Sequence, residues 1–157
     1  MDFFDKNSLN RVCDGVDYII HLAAVNAQSS QEDPCLAIKI NGLGTLNLIQ
    51  ASVANNLSYF LYFSTAHIYG SPLEGVIDET TLPRPSHPYS ITHRLAEDFL
   101  LESIGKESLK GGILRVSNVI GKPLSIDAKC GALFVNDICK QAIENKYVVI
   151  KSNPLVE

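Results

Sequence analysis

Four cysteines are all that this 157-residue chain contains, and they stand far apart. Cys13, Cys35, Cys130 and Cys139 form no C-x-x-C pair, which argues against a zinc site and against a disulfide framework. Reduced thiols in a cytoplasmic protein are expected, with Cys139 packed inside an amphipathic helix. No apolar run approaches the roughly 20 residues of a membrane span. The opening Met1-Asp2-Phe3-Phe4-Asp5 lacks the basic and apolar regions of a secretory signal. A net charge of −4 with scattered lysines and arginines provides no basic stripe for nucleic acid. A glycine cluster of the G-x-G-x-x-G kind is also missing. Gly42 and Gly44 lie inside a helical pattern, and Gly111-Gly112 precedes a strand instead of following one. These 157 residues therefore hold no turn that would seat a pyrophosphate on a helix N-terminus.

What is present reads as one compact α/β domain, with 46% hydrophobic and 19% charged residues. Val16 to Leu22 and Tyr59 to Phe63 are near-continuous apolar runs rich in aromatic and β-branched residues. Such runs predict strands buried on both faces, as in a parallel sheet. Gly112 to Val116 and Tyr147 to Ile150 are two further candidates. Asp33 and Pro34 predict a helix start, with Leu36, Ile40 and Leu43 turned inward and an end near Asn55-Asn56. A second helix opens at Pro88 and ends near Gly105. A third is expected from Ala132 to Asn145, burying Leu133, Ile138, Ala142 and Ile143. Strands alternating with helices imply right-handed βαβ units, and the pattern fits half of a doubly wound sheet.

Five segments carry chemistry. In Pro88-Tyr89-Ser90-Ile91-Thr92-His93, a phenol and an imidazole stand four residues apart, on one helix face. At the end of the first strand, His21-Leu22-Ala23-Ala24-Val25 is small enough for a ligand to lie against the backbone, although ordinary close packing explains it as well. Asn41 could hold water or a cofactor hydroxyl, or simply face solvent. Thr65, ending the second strong strand, could donate to a substrate oxygen or merely cap the strand. Ser117 and Asn118 follow the third strand in a polar turn that is unremarkable in isolation.

In order and spacing these segments resemble the extended short-chain dehydrogenase/reductase family, which includes NAD-dependent sugar-nucleotide epimerases and dehydratases. The resemblance rests on Asp17-Tyr18-Ile19-Ile20-His21-Leu22-Ala23-Ala24, Asn41-Gly42-Leu43-Gly44-Thr45, Ser64-Thr65-Ala66-His67-Ile68-Tyr69-Gly70, Pro88 through Glu97, and Leu114 through Pro123. It implies a Rossmann-like doubly wound parallel sheet lacking its first βαβ units, so that residues 1–157 form the central part of an NAD(P)-binding domain with most of the substrate-binding region absent. It further implies NAD or NADP as cofactor, bound weakly or not at all by this chain, and a nucleotide-sugar as substrate. Tyr89 resembles the catalytic acid/base, and Thr65 the hydroxyl sharing its substrate oxygen. Ala23 and Ala24 resemble the cofactor-lining turn, Asn41 the asparagine near the nicotinamide, Ser117 a contact to that ring, and Asn118 a substrate-side amide. Asp2-Phe3 weakly resembles an adenine-contacting loop.

Two departures narrow the expectation. The dehydratases of the family resemble S-T-D-E-x-Y-G where this chain has Ala66 and His67, so an epimerase or ketoreductase is favoured over a dehydratase. At the position of the family lysine stands His93. A permanent cation about 5 Å from a phenolate is worth on the order of 3 kcal/mol at an effective dielectric near 20, about two pKa units. An unperturbed histidine is cationic in only about a quarter of molecules at pH 7. His93 is therefore expected to replace lysine in part, as a catalytic and cofactor-binding residue, with Glu97 one turn further on placed to raise its pKa. The alternative expectation is a catalytically inactive truncated remnant acting, if at all, through protein association. The apolar strand from Val16 to Leu22 would then offer an exposed edge for self-association.

Overall fold

A computed structural model describes residues 1–121 and 133–150. The chain divides into two compact units, Met1–Val116 and Ser117–Glu157. In the first unit three parallel strands, β1 (Tyr18–His21), β2 (Tyr59–Thr65) and β3 (Gly111–Val116), lie in the order β1-β2-β3. The register sets Tyr18 beside Tyr59, and Phe60 beside Gly111.

Helices fill the crossovers. Helix α1 (Lys6–Cys13) starts where the Asp5 carboxylate accepts from the Asn7 and Ser8 N–H groups, and it buries Leu9 and Cys13, four residues apart. Helix α2 (Ala27–Glu32) is capped by Asn26, and α3 (Pro34–Ala37) by Asp33 with proline at its first position. Neither α1 nor α2 is expected from the sequence, because both are short and largely polar. A π-helical stretch, Ile38–Gly44, joins α3 to α4 (Thr45–Ala54). The wider turn changes which residues face inward. Ala37, Asn41, Gly42, Gly44 and Thr45 are buried, whereas Leu36 and Leu43 are 40% and 45% exposed and Ile40 is half-buried. The expected inward Leu36–Ile40–Leu43 stripe is thus corrected: α5 (Pro88–Gly105) packs here, and a Cβ on Gly42 would lie 2.8 Å from Leu95 Cδ2.

Leu9, Leu48, Ile49, Phe60, Tyr62, Ala96 and Leu100 are central to the core. Strand β1 is not buried on both faces as expected, since Tyr18 and Ile20 are 69% and 62% exposed. Its outer edge pairs with no strand among the described residues.

The second unit contains α6 (Phe134–Asn145), while Ala132 lies outside the described residues, as do Lys122, Pro123 and Cys130. None of the α6 residues is buried, contrary to the expectation for Ile138, Ala142 and Ile143, and Leu133 is only half-buried. Cys139 is exposed, not packed. Tyr147 to Ile150 form no strand; instead the Val149 N–H donates to Gln141 Oε1 at 2.8 Å, a side-chain amide meeting what a ladder would have met. No helix among the described residues is long and apolar enough to cross a membrane.

Candidate functional site

The parallel register brings the carboxyl ends of β1 and β2, His21 and Thr65, to one edge of the sheet. This is the edge where open α/β sheets bind ligands. Helix α5 begins nearby, packed against the 3₁₀ turn Ala66–Tyr69 that follows Thr65. Its start is fixed locally: His87 Nδ1 accepts from the Tyr89 N–H at 3.1 Å, Ser90 completes a reciprocal cap, and Pro88 occupies the first position.

From that start a row of rings crosses the unit. Tyr89 meets His93 edge-on with centroids 4.4 Å apart. His93 stacks on Tyr62 at 5.8 Å, Tyr62 on His21 at 5.5 Å, and His21 meets the edge of Phe3 at 5.8 Å. The i,i+4 spacing of Tyr89 and His93 is therefore realised as direct contact. Tyr62 Oη and His93 Nδ1 are hydrogen-bonded at 2.7 Å, and His21 Nε2 and Thr45 Oγ1 at 2.9 Å. His93 is 2% exposed, yet its Nε2 has no partner among the described residues. Leaving such an atom unsatisfied costs about 1–3 kcal/mol. Ser64 Oγ, beside Thr65 at the end of β2, is likewise buried without a partner among the described residues.

Burial dominates the electrostatics. It lowers the His93 pKa to about 4, against an opposing pull from the Glu97 carboxylate. It also lowers His21 to about 4, with the nearby His93 acting in the same direction. The Tyr62 phenol is driven far above the usual tyrosine range by burial, then by Glu97 and Tyr89. Burial raises the Tyr89 phenol too. The expected partial cation at residue 93 is thus corrected to a neutral imidazole at pH 7. Glu97 cannot offset this desolvation, and its carboxylate is engaged elsewhere. Arg115 Nη2 and Arg94 Nη1 reach Glu97 Oε2 at 2.8 and 3.2 Å, and Arg115 Nη1 donates to Tyr69 Oη at 2.6 Å.

The remaining candidates fall into three groups. Ala23 and Ala24 are exposed just past the end of β1, leaving that backbone approachable. Asn41 is buried and committed: its Oδ1 accepts from the Val25 N–H at 2.7 Å, and its Nδ2 donates to Thr92 Oγ1 at 3.0 Å. It ties the turn after β1 to α5. Thr65 is buried and its Oγ1 accepts from the His67 N–H at 3.2 Å, the capping role, which leaves its own O–H to donate. Tyr89 lines a cavity of about 210 Å³ with Ala27, His67, Gly70, His87 and Ser90. Ser117 and Asn118 follow β3 directly and belong to the second unit. Sequence reasoning missed Tyr62. Its alternation with Phe60 and Ser64 on β2 was a usable signal for the helix-covered face, but its histidine partner was not.

A parallel sheet with helical crossovers and polar groups gathered at its carboxyl edge defines a Rossmann-like α/β protein. Residues 1–153 match the NAD dependent epimerase/dehydratase family, and the chain belongs to it. It is 37% identical over 109 residues to GDP-6-deoxy-D-mannose reductase of Pseudomonas aeruginosa, covering 67% of this chain and 36% of that protein. The structure of RMD from Pseudomonas aeruginosa complexed with NADPH is similar at a TM-score of 0.80 and 30% identity, over 93% of this chain and 50% of that one. UDP-glucose 4-epimerase of Thermus thermophilus, solved in complex with NAD, gives a TM-score of 0.75 and 32% identity over 83% and 44%. The chain thus spans half or less of the length of these relatives.

Proposed function

We propose that the chain carries the nicotinamide-side and proton-transfer residues of an NAD(P)-dependent sugar-nucleotide epimerase or ketoreductase. The observation that carries this reading is Tyr89 in ring contact with His93 at the start of α5, with a buried imidazole nitrogen beside it that has no partner among the described residues. The residues present fit the nicotinamide end of a dinucleotide. Ala23 and Ala24 leave the β1 edge open, and His93 Nε2 lacks among the described residues a partner that a ribose oxygen would supply. For the pyrophosphate there is no glycine turn in these 157 residues, so NAD and NADP are expected to bind weakly or not at all. Bound nicotinamide would supply or take up a hydride. Tyr89 Oη would give or take the matching proton at the substrate oxygen, with the Thr65 hydroxyl donating to that same oxygen. Ser117 would contribute a backbone contact to the ring, and Asn118 an amide toward the sugar. Ala66 and His67 stand where a dehydratase of this family would have carboxyls, which favours epimerase or reductase chemistry.

A second reading has an observation of its own. With His93 neutral and Tyr89 raised, no cation stands beside the phenol among the described residues, which suits a non-catalytic chain associating through the open edge of β1. Nicotinamide absorbance during incubation with NADH or NADPH and 4-keto sugar nucleotides separates the two. Turnover that disappears in Tyr89→Phe supports the enzyme. No turnover, together with concentration-dependent sedimentation, supports the associating chain.

A further inference from the structure

We propose that Tyr62 is a positioning residue for His93: its phenol donates to Nδ1 and holds the imidazole as the Nε2–H tautomer, which presents a buried, uncharged donor to a neutral hydroxyl of the ligand. The assignment follows from counting valences. Nδ1 lies 2.7 Å from Tyr62 Oη, and Nε2 has no partner among the described residues. If Tyr62 donates, one buried polar group is left over, the Nε2–H. If Nδ1 donates instead, two are left, because the Tyr62 O–H then has no acceptor among the described residues and the Nε2 lone pair is also unfilled. Buried polar groups pair wherever they can, so the first arrangement wins.

The surroundings keep His93 uncharged. The groups facing it are Tyr62 of β2 and Tyr89 of α5, with His21 of β1 beyond Tyr62. Glu97, the one carboxylate acting on it among the described residues, is held by Arg94 and Arg115. Desolvation accordingly places the His93 pKa at about 4. A phenol driven far above its usual range remains a donor at every relevant pH, in accord with the valence count. An ammonium at this position would attract anions as well as hydroxyls; a neutral N–H has no such Coulombic preference. The acceptor such a donor suits is the ribose oxygen assigned to it above. That last step rests on the functional reading above, whereas the tautomer does not.

Long-range proton–nitrogen NMR of histidine-labelled protein reads the tautomer directly, in the absence of any ligand. The expected wild-type result at neutral pH is His93 protonated at Nε2 alone. Tyr62→Phe keeps the ring and removes the donor, and should yield a mixture of tautomers. An Nδ1–H or doubly protonated His93 in the wild type overturns the positioning role whatever binds, and needs no variant to fold. Titration with reduced nicotinamide riboside, which carries ribose hydroxyls but no phosphate, should move the Nε2 signal, with roughly tenfold weaker binding in Tyr62→Phe. Inorganic phosphate should leave the signal in place. A correct tautomer that ignores the riboside, or that responds to phosphate instead, contradicts the hydroxyl ligand and the functional reading with it, while the Tyr62–His93 pairing stands.

Discussion

Two titratable side chains one turn apart on α5 are both buried and live in opposite circumstances. Glu97 is fully enclosed and fully partnered, its carboxylate gripped by Arg94 and Arg115 and joined through Arg115 to Tyr69. His93 is enclosed almost as completely, but it is neutral, held at one nitrogen by Tyr62 and without a partner among the described residues at the other. The Glu97 network closes on itself and fastens α5 to β3. The His93 network stops short, because its Nε2 has no partner among the described residues. Burial therefore does not set the two apart; an incomplete valence does.

The largest effect that sets the two apart is acid sensitivity. The folded pKa of His93 and of His21, about 4, lies below the unfolded value of 6.5. As pH falls, the unfolded chain therefore takes up protons first. Stability is unaffected by these groups above pH 6.5 and is lost progressively between 6.5 and 4. The loss amounts to roughly 3 kcal/mol for each histidine. Denaturant melts across that range should show it, and His21→Gln with His93→Gln should flatten the slope. An unchanged slope would mean that neither ring is buried in its neutral form.

Next in size is Arg115→Leu, which strands the Glu97 carboxylate with Arg94 alone. Breaking a buried pair from one side costs about 3–5 kcal/mol. A melt at pH 7 measures this, and a loss below about 1 kcal/mol would show that the network is looser than its distances suggest.

His93→Lys addresses the other cluster. A fixed charge near Tyr89 is worth about 3 kcal/mol to its phenolate, so the Tyr89 pKa should fall by about two units. Any nicotinamide-linked turnover at neutral pH should rise accordingly. A decrease would give His93 a specific role that lysine cannot fill. The smallest effect on the fold is expected from Tyr89→Phe, within about 0.5 kcal/mol in a melt, because the ring packing survives. Turnover in that variant should nevertheless drop by about 10²–10⁴-fold.

Strands β2 and β3 and helix α5 were legible in the sequence, because continuous apolar runs and a Pro-initiated helix leave little choice. Helices α1 and α2 were not, since each relies on one aspartate or asparagine cap and few inward residues. The π-helical stretch defeated the helical periodicity around Leu36 and Leu43, because close approach of α5 at Gly42 selects small residues for the inner face. For the site, the spacing of Tyr89 and His93 foretold their contact. The pKa of His93 could not be foretold, because its burial depends on Tyr62, and on His21 beyond it, which come from two other elements. The partnership of Glu97 with Arg115 was hidden for the same reason, across 18 residues of chain.

The most direct measurement is an NMR titration of the His93 ring in the unmodified chain. A midpoint near 4, with Nε2 still protonated at neutral pH, is the expected result. A midpoint at or above the ordinary histidine value of about 6.5 would place a cation beside Tyr89 after all and contradict the neutral site described here.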